Sequence, residues 1–173
     1  MKKIFLTFLI VISTACIKAQ ENNINWLSFE EAIALNKDNP KPILIDVYTD
    51  WCGYCKKMDL QTYTNPTIVK QINDNFYAIK LDGEAKNEIT FKTHVFKYQK
   101  NGRRGYHELA AALMNGKLAY PTTLFLSEEE KVIDRVQGYL DTAAMEKLLV
   151  YFSNDTYKKE KWAKFIKTFK SKL

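Results

Sequence analysis

Residues 43–56 read ILIDVYTDWCGYCK. The opening six, Ile43–Tyr48, form a short, nearly continuous apolar run, the pattern of a strand buried on both faces. A single acid, Asp46, interrupts it. Just beyond, Cys52 and Cys55 stand with two residues between them where a helix is expected from 52 to about 63. Such a pair can be a zinc clip, a structural staple or a redox couple. Zinc needs four ligands, typically with closely spaced histidines. Only His94 and His107 exist, with twelve residues between them and remote from the pair, so no metal is expected and both histidines are read as surface residues. A staple this short closes a tiny loop and constrains little. A redox couple is well placed here. Cys52 at a helix N-terminus meets unpaired N–H groups and the positive end of the helix dipole, both of which favour the thiolate. Lys56 and Lys57 add positive charge. Cys52 is therefore assigned the attack and Cys55, one turn on, the resolution.

Working upstream, residues 1–19 have the pattern of a secretory signal: Lys2 and Lys3, an apolar run over 4–12, then small residues ending at Ala19. Lipoprotein processing at Cys16 is the alternative, with Ser13 where an aliphatic residue is usual. Export leaves one cysteine pair in a disulfide-permissive setting and excludes a disulfide-dense scaffold. The remaining 154 residues suit one domain with its own core. The net charge of +6 is a property of the ends: the leader carries three lysines and no acid, residues 157–173 carry seven lysines and one glutamate, and the body between is −3. A nucleic-acid-binding face is not expected.

Working outward, Ser28 with Glu31 three residues on is a capping box for an opening helix, which Pro40 and Pro42 stop. After the cysteine helix, Asn65-Pro66 marks a break, followed by a turn or two through Asn73. Residues 76–82 (FYAIKLD) are the next strand, parallel to the first through a crossover. Residues 89–100 read as an inserted surface hairpin turning at Lys92-Thr93-His94, and NGRRG (101–105) as a solvated turn whose glycine spacing fits no phosphate loop. A helix over YHELAAALMNGK closes at Asn115-Gly116, two antiparallel strands follow around an acidic turn, and Asp141 or Thr142 caps another helix. Residues 154–173 form a basic amphipathic helix with Trp162, Phe165, Ile166, Phe169 and Leu173 on one stripe. It is expected to pack on the domain, with weak association to an anionic membrane surface as the alternative.

The acid-bearing strand, Trp51, and Cys-X-X-Cys opening a helix, with AYPTTLFL (119–126) and VQGYL (136–140) downstream, resemble the thioredoxin family, and more narrowly its exported members with a WCGYCKKM-type motif. The insertion at 89–105 and the basic tail depart from plain thioredoxin. The resemblance implies a three-layer α/β/α fold around a central mixed sheet, with the thioredoxin-like domain over 20–153. It makes Asp46 the buried acid that relays a proton for Cys55, and Lys80 its partner on the neighbouring strand. For Asp46 a hydrogen-bonded strand-end acid is the less favoured alternative, and alternation leaves Lys80 free to face solvent. The resemblance also makes Pro121 cis, where the residues alone fit a strand-starting proline. Tyr120 then offers its backbone to an extended substrate, and Trp51 and Tyr54 form an apolar rim. The function implied is an exported, periplasmic thiol–disulfide oxidoreductase, monomeric and free of cofactors, that reduces protein disulfides and is fed by a membrane electron donor. A disulfide isomerase or oxidant uses the same residues, and a thioredoxin-like binding module is the second class.

Overall fold

The computed structural model describes residues 23–173; the signal segment and Cys16 lie outside them. The chain opens with a two-residue strand β1 (Trp26–Leu27) and helix α1 (Phe29–Asp38). Ser28 caps α1 through the expected reciprocal box, its hydroxyl accepting the Glu31 N–H while the Glu31 carboxylate accepts the Ser28 N–H. Strand β2 (Ile43–Tyr48) and helix α2 (Gly53–Gln61) follow, with Cys52 as the N-cap. Helix α3 (Pro66–Asn75) is a full ten residues, longer than the short turn expected. Asn65 accepts the Thr67 and Ile68 N–H groups, Pro66 needs no donor at the first turn, and Ile68, Val69 and Ile72 bury one face.

Strand β3 (Tyr77–Asp82) pairs parallel to β2. The insertion contains two hairpins where one is expected: β4 (Ile89–Phe91) with β5 (His94–Phe96), and β6 (Tyr98–Asn101) with β7 (Arg104–His107). The second turns at Gly102 and Arg103, so NGRRG is a turn as read, but inside a hairpin. It takes Tyr106 and His107 from the expected helix, and α4 spans only Glu108–Leu113. His107 corrects the surface assignment: it is fully buried, its Nδ1 accepts the Leu109 N–H to cap α4, and its Nε2 lies 3.0 Å from the Asn87 carbonyl. Strands β8 (Thr122–Leu126) and β9 (Val132–Gln137) complete a five-stranded sheet of order β1-β3-β2-β8-β9. The chain ends in α5 (Thr142–Ser153), capped by Asp141, then α6 (Thr156–Lys159) and α7 (Trp162–Thr168). The tail is thus two short helices rather than one. The Tyr151 hydroxyl donates to the Glu160 carbonyl at 2.7 Å and holds an extended break that turns Phe165 into the core.

Side-chain alternation sorts the sheet into two apolar layers. Ile43, Ile45, Val47, Ile79, Leu81, Leu124 and Leu126 face α1 and α4. Leu44, Ala78 and Phe125 face α2, α3 and α5. The mixed sheet between helical layers is the three-layer arrangement expected. Phe125, fully buried, stacks on Phe152 at 4.3 Å and meets Phe76 edge-on at 6.0 Å. Phe125→Ala is expected to lower unfolding free energy by about 3–5 kcal/mol, the range for emptying an aromatic site that cannot collapse, read by urea titration.

Candidate active site

Parity within β2 decides where Asp46 points. Leu44 faces the α2 layer, so Asp46, two residues on, faces it too, and the register Asp46↔Lys80 and Asp46↔Thr123 puts both neighbours on that side. Asp46 is 1% exposed. Its Oδ2 accepts from Lys80 Nζ at 2.6 Å, while its Oδ1 lacks a hydrogen-bond partner among the described residues. Lys80 does not turn to solvent. Its ammonium also meets Asp59 and lies about equally near the Trp26, Tyr63 and Tyr48 rings, at 5.0, 5.1 and 5.2 Å. Burial opposes charge on Lys80, but the Asp46 and Asp59 carboxylates outweigh it and hold the ammonium above the ordinary lysine value. For Asp46 burial wins: it pushes the carboxyl above its ordinary value, and the Lys80 charge recovers only part of the loss.

Asp59 is the residue that motif reading passes over. It lies four residues after Cys55 on α2, hence on the same helix face. Asp46, Lys80 and Asp59 therefore form a continuous charged chain from the central strand to the cysteine helix. A groove lined by Asn23, Ile24, Trp26, Asp59, Tyr63, Thr64 and Lys80 opens this chain to solvent.

Cys52 and Cys55 are joined by a disulfide, with Sγ–Sγ 2.04 Å. Cys52 at 5% exposure is the more accessible; Cys55 is at 1%. The Cys55 N–H points at Cys52 Sγ from 3.1 Å, so a donor of the helix N-terminus already faces the sulfur that would carry negative charge. The Tyr120–Pro121 bond is cis. Pro121 and Tyr120 precede the β8 ladder, which begins at Thr122, and the Pro121 carbonyl accepts from Gly138 at 2.8 Å.

The rim is more aromatic than Trp51 and Tyr54 alone. Trp51 meets Tyr120 edge-on at 5.8 Å, and Tyr54, 65% exposed, tilts against Tyr139 at 6.2 Å. Lys57 sits 4.6 Å over the Tyr139 ring. Gly83 admits this packing, because a Cβ there would overlap the Tyr120 ring; its N–H donates to Tyr48 and its carbonyl accepts from His107. Burial, with Glu84 and Asp82 nearby, pushes the Tyr120 phenol up to about 12, so it stays neutral at the rim. The Trp51 indole donates to Glu84 at 3.1 Å, and the Arg104 guanidinium lies 4.2 Å over the Trp51 ring. Of the expected residues, the structure pairs Asp46 with Lys80, Cys52 with Cys55 and Trp51 with Tyr120, and sets Tyr54 against Tyr139. Asp59, Glu84, Arg104 and Tyr139 join them.

Similarity to known proteins follows the same residues. The profile of the thioredoxin-like domain matches residues 29–153. The uncharacterized protein B0495.5 of Caenorhabditis elegans is 34% identical over 86 residues, which cover 49% of this chain and 12% of that one. The thiol:disulfide interchange protein DsbD of Photorhabdus laumondii is 26% identical over 119 residues, 68% of this chain and 17% of DsbD. The chain therefore aligns with less than a fifth of either relative's length. Among solved structures, a candidate disulphide isomerase from Bacteroides thetaiotaomicron superposes with a TM-score of 0.52 at 26% identity, covering 75% of this chain and 93% of that one. With the profile spanning most of its length and the sheet order, cysteine pair and cis proline in agreement, the chain belongs to the thioredoxin-like domain family.

Proposed function

We propose that this protein is an exported thiol–disulfide oxidoreductase that reduces disulfides in other exported proteins. The observation that carries this is the Cys52–Cys55 disulfide at the start of α2, with Cys52 as the helix N-cap. In the reduced protein the Cys52 thiolate attacks a substrate disulfide, forming a mixed disulfide and releasing one substrate thiolate. Cys55 gives its proton to Asp46 and attacks Cys52 Sγ, which frees the second substrate thiolate and leaves the intramolecular disulfide. The substrate gains two electrons and, with solvent, two protons. The substrate chain lies extended along Tyr120 and against Trp51 and Tyr54. A membrane electron donor restores the dithiol, and the likeness to a thiol:disulfide interchange protein supports disulfide exchange as the chemistry. Among the described residues no helix is long and apolar enough to cross a membrane. The exported, periplasmic location rests on residues 1–19, with a lipid anchor at Cys16 as the variant of it.

A redox titration of the pair against glutathione tests direction. A midpoint near thioredoxin's ~−270 mV makes the protein a reductase; one near ~−180 to −120 mV makes it an isomerase or oxidant. If the pair does not cycle at all, the proposal falls and the fold serves as a binding module.

Asp46 gives a sharper test. A carboxyl raised by burial lies closer to neutrality, where it is a better base toward a thiol. Asp46→Asn is expected to slow turnover at pH 7 and to accumulate mixed disulfide, with the first attack by Cys52 little changed. Stability has a defined sign. A folded-state carboxyl pKa above the unfolded value stabilises below the unfolded pKa, and that contribution is lost as pH rises through the folded pKa. The variant lacks this loss, so relative to the parent it should gain stability between about pH 4 and neutrality, its Lys80 still paired with Asp59. Melts at the two pH values measure this. Normal turnover with lower stability at neutral pH would make Asp46 a structural acid.

A further inference from the structure

The insertion carries a charge pattern that disulfide chemistry does not need. Residues 89–107 hold five basic side chains, Lys92, Lys97, Lys100, Arg103 and Arg104, and no acid. Lys97 pairs with Glu88 at its base, but Arg103 and Arg104 are exposed and form no ion pair with any described residue. The hairpin that bears them is pinned. Glu108 accepts both the Lys97 N–H and the Gln99 side-chain amide, the Tyr98 ring crosses Gly105 where no Cβ could fit, and Lys86 caps that ring. Arg104 is thereby held over Trp51, the residue before Cys52. Of the carboxylates on this side, Asp82 accepts the Glu84 N–H and Glu84 accepts the Trp51 indole N–H, while Asp50, exposed beside Trp51, lies close enough to Asp82 to act on its charge.

We infer that the β6–β7 hairpin is a specificity element that makes the active site prefer polypeptides with acidic side chains flanking the target cysteine. The inference rests on the proposed oxidoreductase function and names its substrate class. An extended chain paired along Tyr120 presents alternate side chains to the same side. A glutamate or aspartate two residues from the reacting cysteine would share its side and meet a guanidinium that lies over the Trp51 ring and has no ion-pair partner among the described residues.

The test uses the full chain and three disulfide-bearing peptides, identical except for two Glu, two Gln or two Lys flanking the cysteine. Affinity is measured by calorimetry on the oxidised protein with serine versions of the peptides, so that binding is read without turnover. Reduction rates are measured separately on the disulfide forms. The Glu peptide is expected to bind about fivefold more tightly than the Gln peptide at low salt, the scale of one partly exposed charge pair. The preference should shrink as ionic strength rises. Arg104→Ala should bring the ratio to about one. Arg104→Glu, or Arg103→Glu at the turn, should move the preference toward the Lys peptide, a gained property that misfolding cannot imitate. Equal binding of Glu and Gln peptides by the parent, or a preference that survives both reversals, overturns the inference. A binding preference with no reduction of any peptide would leave the inference standing and remove the oxidoreductase function. Reduction without preference does the opposite.

Discussion

Cys55→Ser is expected to convert the protein from a turnover catalyst into a trap. Cys52 keeps its place at the helix N-terminus and, freed from the disulfide, still faces the donor at residue 55. It can attack, but no second sulfur remains to displace the bound substrate. Incubation with insulin or with oxidised substrate proteins should yield a covalent adduct, seen as a mass shift on a non-reducing gel and removed by dithiothreitol, while catalysed reduction falls to the background rate. Cys52→Ser should give the same loss of turnover and no adduct, because Cys55 is sealed at 1% exposure. Turnover preserved in Cys55→Ser, or an adduct on Cys55 in Cys52→Ser, would exchange or abolish the two roles.

The second large effect concerns the C-terminal segment. Phe165 is 6% exposed, packed 5.1 Å from Tyr151, and Phe169 extends the same layer. Glu146, buried on α5, accepts the Ser171 hydroxyl and the Lys172 N–H, both at 2.6 Å. Deleting residues 154–173 uncovers this apolar layer. Burying one such aromatic contributes about 1.5–3 kcal/mol, and charge-assisted hydrogen bonds to Glu146 add to it. For a domain of this size the melting temperature should drop on the order of 10 °C, with aggregation above the transition. Phe165→Ala alone should cost about 3 kcal/mol. An unchanged melt in the truncated protein would mean that the tail is only laid against the domain and acts elsewhere.

Local pattern carries the elements and fails where pairing over distance decides. Asp46 is legible because a lone acid in an apolar strand is costly to bury unless it has a partner or a role. The direction of Lys80 is not, since it depends on register: only the pairing Asp46↔Lys80 puts it beneath the sheet rather than in water. Asp59 is visible as an acid one turn past Cys55, but its meaning comes from a lysine on another strand. Residues 98–107 alternate weakly, and nothing in them alone separates a loop from a hairpin; Tyr98 crossing Gly105 supplies the difference. His107 reads as a surface histidine because burial of its ring depends on the Asn87 carbonyl and on a helix that begins later than local periodicity puts it. The break in the tail follows from the Tyr151 hydroxyl, which no periodicity reports.

The two hairpins form ladders only with themselves, and the five-stranded sheet closes without them. They touch the domain through Ile89, buried in the α1–α4 layer with Phe91 and Phe96 against it, through Arg104 on Trp51 and through the His107 N–H to Gly83. Such a part can be exchanged without rewriting the scaffold. A graft between Gly83 and His107, carrying a hairpin of different charge or length, would leave the register of β2, β3 and β8 untouched, along with the helix that holds the sulfurs. The reacting machinery and the part that chooses its customers can therefore diverge at separate rates, and libraries for retargeting should be built at 100–104, clear of the buried Ile89 and of Phe91 and Phe96, which pack on the same layer.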